Sequence, residues 1–356
     1  MKKLFLTLLF INLWGYNLKY ALHSSHAFPF LPHKTLLIFE YQKLNDTIDV
    51  LNIKSQELGD TVSKYASIGD MDGYKLSITY GLNNKTTLFF KINPQNIQYG
   101  NGTLKNKRYE IFGRYNFYQN DFLNTAYSFD IGGIINKADD IRYSNKNLME
   151  NLAVKILKEK KPNVKSVEIN PTNIKIHYIG TKNKDIIGIT QTPFIEVNDM
   201  KDMSYYIKAL YEKKINNIFL TLFTKLNFTK IHTTVKANDE LVQKAKEKFD
   251  LDKNLDRNEK SLNIGFNISG GIDYVFEFEY YYTKIFRESG LDYIDYNHVV
   301  KLDIIKPINK SWFIFAGGKV MYRQFNGEIP YLYNKYSQTT FDHKYGYARA
   351  GVGFLF

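Results

Sequence analysis

Seven histidines are the first candidates for chemistry: His23, His26, His33, His177, His232, His298 and His343. None belongs to a His-Glu-x-x-His zinc helix, and the chain has neither a phosphate-binding loop nor a dinucleotide glycine fingerprint. With no Cys there is no thiol nucleophile, no Cys–zinc or iron–sulfur site, no disulfide framework and no lipid-bearing Cys. Asp250-x-Asp252-x-Asn254-x-Asp256 spaces its oxygens like a calcium loop. Leu255 stands where that loop needs Gly and Ser261 where it needs Glu, so a solvated acidic turn is the better reading. No metal, cofactor or catalytic residue is assigned. His232 and His298 fall near strand ends, where a lipid-cleaving site would need them, and they mark the enzyme alternative.

The more informative charges alternate with apolar residues. Ten cations (Lys75, Lys91, Arg108, Arg114, Lys208, Lys225, Lys301, Lys319, Arg323, Arg349) and six acids (Glu110, Asp130, Glu212, Glu277, Glu279, Asp303) fall on the polar faces of such segments. Facing lipid, each Lys or Arg would cost about 2–4 kcal/mol at mid-membrane, so these side chains must face water or one another. In a membrane barrel they line the lumen. Lys75, Arg108, Glu110, Arg114, Lys225, Glu277, Glu279, Lys319, Arg323 and Arg349 are the expected pore-lining set, with Glu277 and Glu279 as counter-charges.

The elements that would position them read as strands. In 274–286, Tyr274, Phe276, Phe278, Tyr280, Tyr282 and Phe286 share one face, while Glu277, Glu279, Tyr281 and Thr283 share the other. Segments 203–212 and 218–230 alternate in the same way. Nine more are expected at 34–43, 73–82, 86–99, 107–118, 124–135, 262–270, 296–306, 311–324 and 341–356, giving about twelve. Pro94 predicts a bend or bulge in 86–99. Short turns at 83–85, 119–123, 213–217, 270–273 and 307–310 alternate with longer links at 44–72, 100–106, 137–202, 231–261, 287–295 and 325–340. That rhythm predicts an up-and-down transmembrane antiparallel β-barrel, an all-β fold with both termini on the short-turn side. A soluble sandwich would also alternate, but it would have to bury the Tyr and Phe rows.

Composition fits an exported barrel. Aromatics are 16% of the 356 residues, which excludes intrinsic disorder. The mean hydropathy of −0.36 excludes a helical polytopic protein and leaves a β-barrel open. Lys2 and Lys3, then an apolar run from Leu4 to Trp14, predict a signal peptide over 1–27, cut after Ala27 or else after Ala21. The net charge of +12 comes from scattered rather than clustered Lys, and nucleic acid is not an expected partner. The chain ends in Phe356, with Phe354, Val352, Ala350 and Ala348 on its face. This resembles the closing strand of Gram-negative outer-membrane β-barrel proteins. The resemblance implies outer-membrane localisation and makes Phe354 and Phe356 the signal for the barrel-assembly machinery. Ala348 and Ala350 depart from the larger residues common there. Outer-membrane phospholipases resemble the chain in strand number alone, since their His-x-Ser pairing occurs only at His23 and Ser25, within the signal.

Within the barrel of residues 28–356, the stretch 137–202 predicts an α/β insert, with a helix over 147–161 and strands over 164–169 and 174–179. A lesser helix is expected over 240–249. The expectation is a narrow porin-like channel for small polar or anionic solutes, monomeric, in contact with outer-membrane lipid. The alternatives are a surface adhesin or receptor binding an extracellular ligand through 137–202, and a barrel enzyme acting on lipid.

Overall fold

The computed structural model describes residues 26–44, 68–99, 102–144, 164–169, 173–180, 184–188, 193–237, 254–334, 341 and 344–356. Its strands are β1 (Thr35–Leu44), β2 (Ile68–Gly81), β3 (Thr86–Tyr99), β4 (Gly102–Asn120), β5 (Thr125–Ala138), β6 (Ile141–Ser144), β7 (Val164–Ile169), β8 (Asn173–Tyr178) and β9 (Lys184–Gly188). They continue as β10 (Pro193–Ile215), β11 (Ile218–Ala237), β12 (Arg257–Gly271), β13 (Val275–Phe286), β14 (Tyr296–Pro307), β15 (Trp312–Met321) and β16 (Tyr345–Leu355). Twelve of them, β1–β5 and β10–β16, pair antiparallel in chain order. β1 pairs with β16 from Leu36↔Leu355 to Lys43↔Ala348 and closes the cylinder. Closure leaves no unpaired edge, the condition for crossing lipid with strands.

The expected faces are the observed ones. Along β13 the side chains of Glu277, Glu279 and Thr283 are buried inside, while Phe276 and Phe286 are exposed. Ile111, Ile131, Tyr205, Ile207, Leu222, Leu226 and Phe228 form part of an apolar outer band. A water-soluble protein would hide such a band, and a bilayer covers it.

Asparagine shapes the short turns. Asn83 Oδ1 accepts the Lys85 and Thr86 amides at 2.8 and 2.9 Å, and Asn309 Oδ1 accepts those of Ser311 and Trp312, each at 2.9 Å. Asn124 and Asn216 take φ of 51° and 55°, a region Asn enters more readily than other non-glycine residues. Close packing inside demands glycine at 353. Phe313 lies directly opposite, and a Cβ on Gly353 would fall 1.9 Å from its ring.

Three expectations change. The link at 100–106 is short, because residues 102–106 pair as the start of β4. Pro94 sits in β3 opposite Lys107 with its side chain outward, so the strand continues through it. The link 137–202 narrows to 139–192: Lys137 and Lys201 pair in the wall, and β6 adds to the upper part of β10. Inside that link, β7 and β8 match the two expected strands, and β9 completes a separate three-stranded sheet. The helices expected over 147–161 and 240–249 lie outside the described residues, as does the signal up to Ser25.

Candidate functional site

Two segments fold into the lumen and leave a polar chamber between them. At the short-turn end, residues 26–31 run inside the wall. The Ala27 amide donates to Glu212 Oε2 at 2.5 Å, and the Phe30 amide to Thr87 Oγ1 at 3.0 Å. Arg114 donates to the His26 carbonyl, and Asn116 and Ser128 donate to that of Ala27. The His26 ring lies between two buried carboxylates, with Nδ1 3.3 Å from Glu212 and Nε2 3.7 Å from Glu277. Phe28 packs on Leu210, Phe219 and Phe223, and Phe30 on Leu36, Phe313 and Phe315. Glu277 meets His26 rather than an open bore when the signal is cut after Ala21, since a cut after Ala27 removes His26 and Ala27.

At the long-loop end, the chain after β15 turns inward. Phe325, Ile329, Tyr331, Leu332, Tyr333 and Phe341 are buried against Met71, Ile97, Leu104, Ile231 and Tyr345 of the wall. Polar contacts fix this lid. Arg257 donates to the Pro330 and Tyr333 carbonyls, and Arg287 lies 3.7 Å over the Tyr333 ring. The Tyr331 hydroxyl donates to Asn106 at 2.8 Å, and its amide to Asp202 at 3.3 Å. Glu328 carries the lid's contact with the charges of the chamber wall. Its carboxylate pairs with Lys319 and accepts the Tyr281 hydroxyl at 2.7 Å, while its carbonyl accepts Arg108 at 2.7 Å. Burial pushes the Glu328 carboxyl up, but Lys319 and Arg108 outweigh it and hold the group at about 2. Burial raises the Tyr331 phenol well above its ordinary range.

Between lid and N-terminal segment lies a cavity of about 210 Å³. Eight cations (Lys75, Lys91, Arg108, Lys208, Lys225, Lys301, Lys319, Arg349) meet four carboxylates (Glu110, Asp130, Glu279, Glu328) in its wall. Many are paired. Lys91 meets Glu110 at 3.3 Å, Lys301 meets Glu279 at 2.5 Å, and Lys75 meets Glu40 at 3.2 Å. Arg349 bridges Asp303 and Glu40, and Arg114 holds Asp130 at 2.7 Å. Arg108 and Lys225 have no carboxylate at ion-pair distance among the described residues. Lys225 lies 3.7 Å over the Tyr206 ring, whose hydroxyl donates to Glu110 at 3.0 Å.

Of the expected lumen set, Lys75, Arg108, Glu110, Lys225, Glu279, Lys319 and Arg349 border the chamber. Arg114 and Glu277 lie deeper, against residues 26–27. Arg323 does not join them. β15 ends at Met321, so the alternation that placed Arg323 inside has stopped. Its guanidinium lies 4.5 Å over Tyr322 and 5.3 Å over Tyr296 on the outer face. His298 sits in the same outer aromatic cluster, 2.8 Å from the Tyr280 hydroxyl, and His232 pairs with Asp256 at 2.7 Å. Phe354 packs tilted against Trp312 at 4.5 Å and stacks on Phe356 at 5.5 Å, at the outer foot of the closing strand.

The lid and Glu40 escaped the sequence reading. The stretch Phe325-Asn-Gly-Glu-Ile-Pro-Tyr-Leu-Tyr333 carried a usable signal, since five large apolar residues are too many for a solvated loop.

No protein-family model matches the sequence, and no curated protein matches it. Solved structures similar in outline include the translocator domain of autotransporter NalP from Neisseria meningitidis. It matches at 10% identity over 97% of this chain and 94% of that one, with a TM-score of 0.47. The KdgM porin in complex with disordered oligogalacturonate matches at 11% identity over 90% and 99%, with a TM-score of 0.39. LpxR from Salmonella typhimurium matches at 10% identity over 90% and 100%, with a TM-score of 0.42. Likeness this distant assigns no activity. The strand order, the closure of β1 on β16 and the apolar outer band establish by themselves a twelve-stranded transmembrane β-barrel of the outer-membrane type.

Proposed function

We propose that this outer-membrane barrel is a gated, narrow channel for small anionic or polar solutes. The observation that carries the reading is the chamber: its eight cations outnumber its four carboxylates even when Glu40 and Asp303, the partners of Lys75 and Arg349, are counted, and Arg108 and Lys225 have no carboxylate at ion-pair distance among the described residues. A narrow, low-dielectric bore focuses such a field, so anions gain residence and cations lose it. Twelve strands enclose more space than the eight that side chains just fill, and here two segments of the chain take up the excess. The lid is held by side-chain contacts rather than by strand pairing, so its movement would break no wall hydrogen bonds, which makes it the candidate gate.

The test is planar-bilayer recording of heat-modifiable, folded protein in a salt gradient. Wild type should open rarely and, when open, show an anion-side reversal potential. Arg108→Gln with Lys225→Gln should move that potential toward zero. An unmoved potential, or a cation preference in wild type, would count against the reading.

The separate β7–β9 sheet favours a second reading, in which the barrel anchors a binding module that meets an extracellular ligand. Deleting 145–190 separates the two: lost surface binding with unchanged conductance supports the anchor.

A further inference from the structure

A row of lysines crosses the outer face of β4, β5 and β10 at the long-loop end. Lys107 pairs directly with Lys137, Lys137 with Lys201, and Lys201 with His232. All three lysines are exposed, and their wall neighbours Asn106, Asn136 and Asp202 point inward and are buried. Like charges directly opposite across an antiparallel pair repel, with Cβ atoms about 5 Å apart. Among the described residues none of the three has an ion-pair partner. Of the acids on the same rim, Asp256 pairs with His232 and Asp140 accepts the Asp199 amide, while the exposed Asp139 and Asp199 lie at no ion-pair distance from the three lysines.

The level of this row identifies its surroundings. Two residues below it on the same face lies the row Tyr109–Ile135–Met203, and below that Ile111 and Tyr205, exposed by 64% and 62%. The lysines therefore stand about 7 Å above the apolar band, one step of two residues along a strand. That is the headgroup layer, and the long-loop end is the outer one in barrels of this type. Strands about 4.8 Å apart spread the three ammonium groups over roughly 10 Å, a span suited to one lipid carrying more than one phosphate, or to two adjacent headgroups.

We infer that the Lys107–Lys137–Lys201 row is a docking site for an anionic, phosphate-bearing lipid of the outer leaflet. The headgroup neutralises the opposed lysines while its acyl chains lie along Ile135, Met203, Ile111 and Tyr205. The inference rests on the membrane-spanning barrel and is independent of channel activity.

Native mass spectrometry of the full barrel in maltoside micelles tests it. The probes are a bisphosphorylated diglucosamine lipid and its phosphate-free form. Wild type should retain the phosphorylated lipid alone. An ammonium near an anionic lipid surface contributes about fivefold in affinity, so Lys107→Gln, Lys137→Gln and Lys201→Gln together should weaken retention by about a hundredfold. The corresponding triple Arg variant should retain it. Heat-modifiable migration should persist in both, since the row lies outside the lumen and its loss breaks no wall pairing. Equal retention of the two lipids by wild type, or unweakened retention by the Gln variant, would overturn the proposal. Binding of an acidic peptide to the row without lipid discrimination would also overturn it, by identifying a protein partner instead.

Discussion

Glu328→Gln is the substitution that most directly separates a gate from a permanent plug. Among the described residues Glu328 is the one lid carboxylate that reaches the chamber wall, where it pairs with Lys319 and accepts Tyr281. Held at about 2 in the closed lid, its carboxyl sits a little over two pH units below an ordinary glutamate. At about 1.4 kcal/mol per pH unit, that gap ties about 3 kcal/mol to the charged form in the closed state. Glutamine keeps the shape and one acceptor for Tyr281 but loses this charge-linked part, and it leaves Lys319 buried without its carboxylate. The ceiling on the gain in opening is therefore about a hundredfold. The sign of the pH dependence follows. The closed-state carboxyl is depressed, so its stabilisation is complete above about pH 5 and is lost as pH falls from about 4 toward 2. Wild-type open probability in a planar bilayer should climb over that window. Glu328→Gln should already be raised at pH 7 and should lack that component of the acid response. A variant that opens as rarely as wild type at pH 7, with the wild-type acid response intact, would refute the latch.

Arg349→Met should lower the temperature of heat-modifiable unfolding and cost about 3–5 kcal/mol, because it takes the Arg349 cation from buried Asp303 and leaves Glu40 with Lys75 alone. Gly353→Val should block closure of β16, since the new Cβ meets the Phe313 ring; adding Phe313→Ala should recover part of the folded yield on a gel. Phe356→Ala removes an exposed terminal ring stacked on Phe354, so it should reduce folded barrel in cells while refolding in detergent proceeds at the wild-type rate. Arg287→Ala strips the cation from the Tyr333 ring and its bond to Asn326 Oδ1 at 2.6 Å, and should raise open probability about tenfold.

What the sequence disclosed and what it hid divide along a physical line. A membrane wall imposes a period of two, because each strand has one face toward lipid and one toward the lumen. Tyr280, Glu279 and their neighbours obey that rule so strictly that the faces and the strand count of the barrel can be read from residue order alone. The rule fails where pairing stops. Arg323 continues the alternation of 311–324 on paper, yet β15 ends at Met321 and the side chain turns out onto Tyr296 and Tyr322. The two lumen segments have no period either. Phe325–Tyr333 and residues 26–31 are held by single contacts to many strands, such as Arg108 to Glu328 and Arg114 to His26, across separations of 220 and 88 residues. Such contacts leave no local pattern. They also explain why charge counting along the faces identified a basic lumen without saying whether it is open. The pairs that fill the chamber wall are mostly cross-strand neighbours, and their surplus over pairing, Arg108 and Lys225, appears only once register is known. In a barrel the wall is local information and the bore is not. The proposed selectivity therefore rests on two cations that the alternation places in the lumen, and the proposed gating on a loop that it leaves unplaced.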